Sequence, residues 1–261
     1  MTHPYLQGTG VPRILAHRGL TGPEQVAAGI VENSFAALAV AHAAGAEYIE
    51  SDCHLTRDGE VVLFHDADLV RVTGDPRRLC EVGLAELEAI MSDRGGLVTL
   101  EQALDAFPRT RFNIDVKAVD AAAPAGRIVA PAAERVLLTS FSDGRRRAAL
   151  AAAVASRPGQ RPATSPGRGT VARLLVAVRL GARRRVARLL EGIDAVQVPE
   201  RRGPLRVVTP RFVQALHAVG TEVHVWTVND VDDMHRLVAL GVDGIVTDRA
   251  DLALAVLPRT G

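Results

Sequence analysis

Lysine is nearly missing from this chain. Of 31 lysines and arginines, only Lys117 is a lysine. Arginine usage on that scale is a compositional bias rather than a functional signal, so the one position that stays lysine is worth inspection. Cysteine is also scarce, with only Cys53 and Cys80. Two cysteines build no disulfide framework, and a reducing compartment is the expectation. The net charge of +1 gives no bulk attraction to nucleic acid or to a membrane. The opening residues, MTHPYLQGTGVPR, hold no apolar run of the kind a signal peptide needs. No stretch is long and apolar enough to span a bilayer. These absences lead to the expectation of a cytoplasmic protein without a transmembrane segment.

What is present suffices for a sizeable core, since 48% of the 261 residues are hydrophobic. The length suits one domain over residues 1–261 and lies close to the ~250 residues typical of a (β/α)8 barrel. Chemistry concentrates in residues 45–71, GAEYIESDCHLTRDGEVVLFHDADLVR. Residues 46–52 and 60–65 read as two strands. The Asp58-Gly59 pair between them supplies a tight turn. So short a connection joins antiparallel neighbours, because a parallel pair needs a crossover of a dozen residues or more. With the reversal centred near Asp58, Glu50 falls across from about His65, and Asp52 shares the face of Glu50. Cys53 then points the other way, as a buried thiol. A plain surface hairpin with solvated acids is the alternative reading.

The rest of the chain alternates strands with helices. RILAH ends at His17 and Arg18, where a barrel places catalytic side chains at the C-terminal end of a strand. A histidine satisfied at a strand end would look the same. Asn33 or Ser34 caps the helix that follows. Residues 66–93 are irregular, with a short helix LAELEAIM, and form a small insertion after the His65 strand, about 66–95. RFNIDVK is a strand with Asn113, Asp115 and Lys117 on one face, which suits a polar site at a barrel mouth; a solvated edge strand is the alternative. Residues 118–131 are short for a full crossover, and 156–169 are the most loop-like. Residues 171–190 read as a strand and a basic helix carrying Arg183, Arg184, Arg185 and Arg188. That helix presents either a solvated outer face or, in the second reading, a peripheral membrane contact. Strands are expected at 193–199, 222–228 and 244–247. The count is about nine, one more than the eight of a closed barrel, so a hairpin strand lies outside the parallel order. The fold class expected is therefore α/β, a somewhat distorted TIM barrel.

Several motifs in order, AHRG (16–19), ENS (32–34), the 45–71 stretch, LAEL (84–87), VTLEQAL (98–104), FNIDVK (112–117), TSFS (139–142), VHVWTVND (223–230) and GVDGIVTD (241–248), resemble the glycerophosphodiester phosphodiesterase family. The likeness is weak over roughly residues 118–210 apart from TSFS. The resemblance implies a TIM barrel related in fold to phosphatidylinositol-specific phospholipases. It implies His17 and His65 as the general acid/base pair and Glu50, Asp52 and Asp115 as metal ligands. Arg18 and Lys117 would neutralise the phosphate, Glu32 would lie near the metal, and Trp226 would shape the alcohol pocket. The family usually has glutamate at Asp115 and proline at Val31. An oxygen-rich donor set without cysteine suits Mg2+ or Ca2+ rather than Zn2+. Two imidazoles with ordinary pKa values near 6.5 suit proton transfer near neutral pH. The expected activity is metal-dependent hydrolysis of glycerophosphodiesters to sn-glycerol 3-phosphate and an alcohol, with a small-molecule substrate and no nucleic acid. A lysophospholipase D activity and a non-catalytic barrel that binds phosphodiesters are the alternatives.

Overall fold

The structure, a computed structural model, describes residues 2–258. Its strands are β1 Arg13–His17, β2 Tyr48–Leu55, β3 Val61–Leu63, β4 Arg111–Val116, β5 Val136–Thr139, β6 Ala163–Thr164, β7 Ala195–Pro199, β8 Arg201–Arg202, β9 Leu205–Arg206, β10 Glu222–Trp226 and β11 Gly244–Thr247. The main sheet runs β6-β5-β4-β2-β1-β11-β10-β7, with every neighbour parallel. Its two ends meet. The Asp194 N–H donates to the Thr164 carbonyl at 3.0 Å, and the Thr164 N–H donates to the Asp194 carboxylate at 2.8 Å. The result is the nearly closed α/β barrel that the alternating pattern implies. β3 pairs antiparallel to β2 and is the strand outside the parallel order. β8 and β9 form a separate small hairpin.

Strand alternation sorts the side chains into an inner and an outer set. Outward residues such as Ile14, Ala16, Ile49, Phe112 and Ile114 join the large cluster shared with the helices. Inward residues Leu15, Leu137, Ala163, Ala195 and Val246 form a separate buried cluster inside the ring. Cys53 is fully buried in the outer cluster, as expected. No helix among the described residues is long and apolar enough to cross a membrane.

Three local expectations need correction. Residues 171–190 are not a strand and a helix but two helices, Arg168–Arg179 and Arg183–Leu189. Thr170, Leu174, Ala177 and Val178 are the buried residues of the first, a helical rather than alternating spacing. The missing strand is β6, inside the segment read as loop; two residues are too few to carry a period. Residues 118–131 do complete a crossover, through the helix Ala122–Val129 and the 3-10 segment Ala130–Arg135. That helix lies tightly on Asp143–Ser156, because a Cβ added at Gly126 would fall 2.1 Å from the Ala149 carbonyl oxygen. The hairpin register is also shifted by one. Cys53 faces Leu63 and the Phe64 N–H reaches the Asp52 carbonyl, so the register continues with Glu50 opposite Asp66 rather than His65. His65 lies beyond the end of β3.

The insertion after His65 builds its own apolar cluster, in which Val62 and Phe64 meet Leu69, Leu79, Val82, Leu87 and Met91. At the opposite end of the barrel, Tyr5 and Leu6 close the ring below the inner layer. There Arg13 donates to both Glu222 oxygens at 2.8 Å and to the Tyr48 hydroxyl at 3.0 Å. Burial pushes the Glu222 carboxyl up, but Arg13 and His224 outweigh it and hold it down at about 2 against an ordinary 4.5. A depressed carboxyl contributes stability that is complete above the unfolded pKa and is lost as pH falls through the folded one. Glu222→Gln should therefore cost roughly 2–4 kcal/mol at pH 7. In urea titrations the gap to the parent should shrink to less than half by pH 3. A pH-independent gap would contradict the assignment.

Candidate active site

The parallel register sets the site in rows. His17 of β1 aligns with Glu50 of β2, which aligns with Asn113 of β4. One row higher, Asp52 aligns with Asp115, and Asp115 with Thr139. All are inward positions, and His17, Asp115 and Thr139 lie at or next to the C-terminal ends of their strands. They line a cavity of about 170 Å³ together with Arg18, His65, Lys117, Phe141, Gln197 and Trp226. Both histidines, the three expected carboxylates, both expected cations and Trp226 are thus brought to one place. Glu32 is the exception. It stands behind the wall, accepting from Arg18 at 2.7 Å and Arg71 at 2.6 Å, so it orients cations rather than lining the site.

The carboxylates are short of cations. Lys117 Nζ lies 2.8 Å from Asp52 and 2.7 Å from Asp115. Arg18 Nε is 3.0 Å from Asp52 Oδ2, close enough for an ion pair but not aligned as a hydrogen bond. Glu50 has only a longer approach, 3.8 Å from His17 Nε2. Burial, followed by the negative charge of Asp52, pushes the Glu50 carboxyl up to about 8. Burial likewise raises Asp115 against the pull of Lys117. One oxygen each of Glu50, Asp52 and Asp115, and the Asn113 amide oxygen, are buried with no hydrogen-bond donor.

Those orphaned acceptors have the chemistry a hard cation needs. As the side chains stand, no group of three or more His, Cys, Asp or Glu among the described residues is arranged to hold a metal ion. The Lys117 ammonium instead bridges two of the three carboxylates. The donor types fit a divalent cation, while the bridging contacts of Lys117 must loosen for it to enter.

Each histidine has a carboxylate behind it. His17 Nδ1 lies 2.5 Å from Asp248 Oδ1, and Asp248 also accepts from Asn229 at 2.7 Å. Burial disfavours the imidazolium of His17, but the Asp248 hydrogen bond and the Glu50 charge outweigh it and raise its pKa. His65 Nδ1 lies 2.6 Å from Asp66 Oδ1, and Arg71 clasps the other Asp66 oxygen at 2.6 Å. Such pairing favours the tautomer that carries its proton on Nδ1. Asp66, Arg71, Asn229 and Asp248 are members of the site that the sequence reading did not single out. The signal was there for Asp66 and Asp248, one beside a candidate histidine and the other ending the last strand.

A model of the glycerophosphoryl diester phosphodiesterase family matches residues 17–252. The chain belongs to that family. It is 41% identical over 254 residues to a probable glycerophosphodiester phosphodiesterase 2 of Mycobacterium tuberculosis, covering 95% of this chain and 91% of the relative. A lysophospholipase D of Rattus norvegicus is 33% identical over 119 residues, which is 40% of this chain and 36% of that protein. In fold, the chain matches an Oleispira antarctica phosphodiesterase in complex with the product sn-glycerol-3-phosphate, with a TM-score of 0.70 at 20% identity over 94% of this chain and 96% of that one.

Asp248 carries a prediction for this family member. Asp248→Asn removes the charge that favours the His17 imidazolium, so the His17 pKa should fall. Imidazole NMR titration should show the fall, and the limb of the pH–rate profile that His17 sets should move to lower pH. The kcat should drop on the order of tenfold or more, since general acid–base catalysis typically contributes 10²–10⁴. An unmoved His17 titration would break the link between the two residues.

Proposed function

We propose that this chain hydrolyses glycerophosphodiesters to sn-glycerol 3-phosphate and an alcohol, using two histidines and a divalent metal ion. The observation that carries the reading is the facing of His17 and His65, each backed by its own carboxylate, into a cavity that also presents Arg18 and Lys117. The extent and identity of the family match support the same activity.

A phosphodiester bound here needs its charge neutralised, a nucleophile activated and a leaving alkoxide protonated. Arg18 and Lys117 serve the first need. Glu50, Asp52 and Asp115 would hold Mg2+ or Ca2+, which when bound supplies further charge neutralisation at the phosphate. His17 keeps its proton more firmly than an ordinary imidazole, which suits the general acid. His65, held through Nδ1 by Asp66, then serves as the base.

Among the described residues no cysteine lines the cavity, and the serine that does, Ser140, donates its hydroxyl to the Val116 carbonyl at 2.7 Å, so the nucleophile is assigned to the substrate. His65 takes the proton of the glycerol 2-hydroxyl. The freed oxygen bonds to phosphorus and the bond from phosphorus to the other alcohol breaks. His17 gives its proton to the departing oxygen. Water then opens the five-membered cyclic phosphate with the two roles reversed. Intramolecular attack gains an effective molarity that reaches ~10⁵ M or more, and it accounts for a fixed glycerol beside a variable alcohol.

Two measurements test this. Purified protein should release sn-glycerol 3-phosphate from glycerophosphodiesters, lose that activity on exhaustive chelation and regain it with Mg2+ or Ca2+. Full activity after chelation would remove the metal. An analogue lacking only the 2-hydroxyl should bind comparably and turn over poorly, whereas rapid hydrolysis of it would mean that water attacks directly.

A further inference from the structure

The cavity does not end at Trp226. Phe141, Pro166, Gln197 and Trp226 also line a second space, a groove of about 460 Å³. One wall is the outer face of the helix Arg168–Arg179, with Val171, Leu175 and Val176; the other carries Leu205 and Val207 beside the β8–β9 hairpin. The helix buries Thr170, Leu174, Ala177 and Val178 against the barrel. Val171 and Leu175 are half-buried, packed in part against the core, and Val176 is 52% exposed. From Val171 to Val176 this groove-side edge of the helix runs about 8 Å at 1.5 Å per residue.

The charge around the groove is of one sign. Arg168, Arg179 and Arg202 line it, and among the described residues no Asp or Glu does. Arg168 lies flat over Phe141, with its guanidinium carbon 4.0 Å from the ring centre, at the junction with the catalytic cavity. A cationic alcohol such as choline finds no counter-charge there and three like charges. A neutral hydrocarbon finds apolar walls and the aliphatic stems of arginines whose heads reach water.

The geometry points to a substrate subsite: the groove takes the hydrocarbon chain of a neutral long-chain alcohol esterified to glycerol phosphate. This rests on the proposed hydrolysis and narrows its substrate class. The catalytic cavity is small and polar and suits the glycerol phosphate half. The groove adjoins the cavity across Phe141 and Trp226, so it is the space next to the alcohol half.

The test is a series of glycerophosphodiesters whose alcohol is ethanol, butanol, hexanol or octanol, all below their micelle concentrations, with glycerophosphocholine alongside. The kcat/KM should rise by up to about fourfold per added methylene, the equivalent of ~0.8 kcal/mol for a buried CH₂, and mainly through KM. The octyl substrate should exceed glycerophosphocholine. Val176→Asp, an exposed change on a helix whose buried face is untouched, should lower the octyl-to-ethyl ratio at least severalfold. A flat series, or a preference for glycerophosphocholine, would overturn the subsite while leaving the hydrolysis intact.

Binding gives a readout independent of turnover. Trp226 is the only tryptophan, so a non-hydrolysable phosphonate of the octyl compound should blue-shift its emission more than the ethyl one does. If no diester is hydrolysed, the proposed activity fails, and equal spectra for the two phosphonates would remove the groove as well.

Discussion

Two carboxylates at the same level of neighbouring strands, Asp52 and Asp115, repel each other in a buried place, and Lys117 holds them together. Its ammonium touches both and rests 5.0 Å from the Phe141 ring centre. Removing one partner of a buried ion pair leaves an uncompensated charge, a loss of roughly 3–5 kcal/mol. The choice of lysine follows from shape. An ammonium is a compact charge with three donors on a flexible stem, whereas a guanidinium is a rigid planar fork. The former fits the narrow gap between two convergent acids and keeps a donor for a third group. That is a physical reason for one lysine to persist in a chain that otherwise uses arginine.

The same two-residue period builds both ends of the barrel. Arg13, Leu15 and His17 follow one another inward along β1, and Tyr48, Glu50 and Asp52 do so along β2. The first of each series joins the Arg13–Glu222–Tyr48 pairing at the closed end. Leu15 belongs to the apolar inner layer. The last members face the cavity. The charges lining the cavity are thus separated along β1 from the Arg13–Glu222 ion pair by an apolar residue. At the open end burial, followed by the charge of Asp52, raises Glu50.

This ordering explains which parts of the molecule could be read in advance. Long alternating segments such as RFNIDVK carry their inner and outer faces in plain sight, and Asn113, Asp115 and Lys117 occupy one wall as their spacing implies. The cap at Ser34, one of the two candidates there, was legible for the same local reason. β6 was not, because two residues have no period, and the apolar run 171–178 has enough valine and leucine to imitate a strand. The truncated crossover was misjudged because its feasibility depends on a close approach at Gly126 that involves a partner more than twenty residues away. Asp248 and Asp66 were overlooked as orienting groups because their role is set by what they touch. Glu32 was placed one layer too near the chemistry because a motif records neighbourhood and not contact.

One feature of the site cannot come from alternation at all. His17 and Arg18 are adjacent in sequence yet both line the cavity, whereas consecutive strand residues point to opposite faces. The chain breaks the rule at Arg18, whose φ of +57° lies in the left-handed region that a side chain with a Cβ adopts at a cost of order 1–3 kcal/mol. Two backbone hydrogen bonds hold it there: the Arg18 N–H to the Glu50 carbonyl at 2.7 Å, and the Asn33 N–H to the Arg18 carbonyl at 2.9 Å. The following residue then passes so near the helix Phe35–Ala43 that a Cβ on Gly19 would lie 2.6 Å from the Ala37 backbone, which only glycine avoids. The His-Arg-Gly sequence therefore brings an imidazole and a guanidinium to one wall from neighbouring positions. The strain at its centre is offset by the same strand that supplies Glu50 and Asp52.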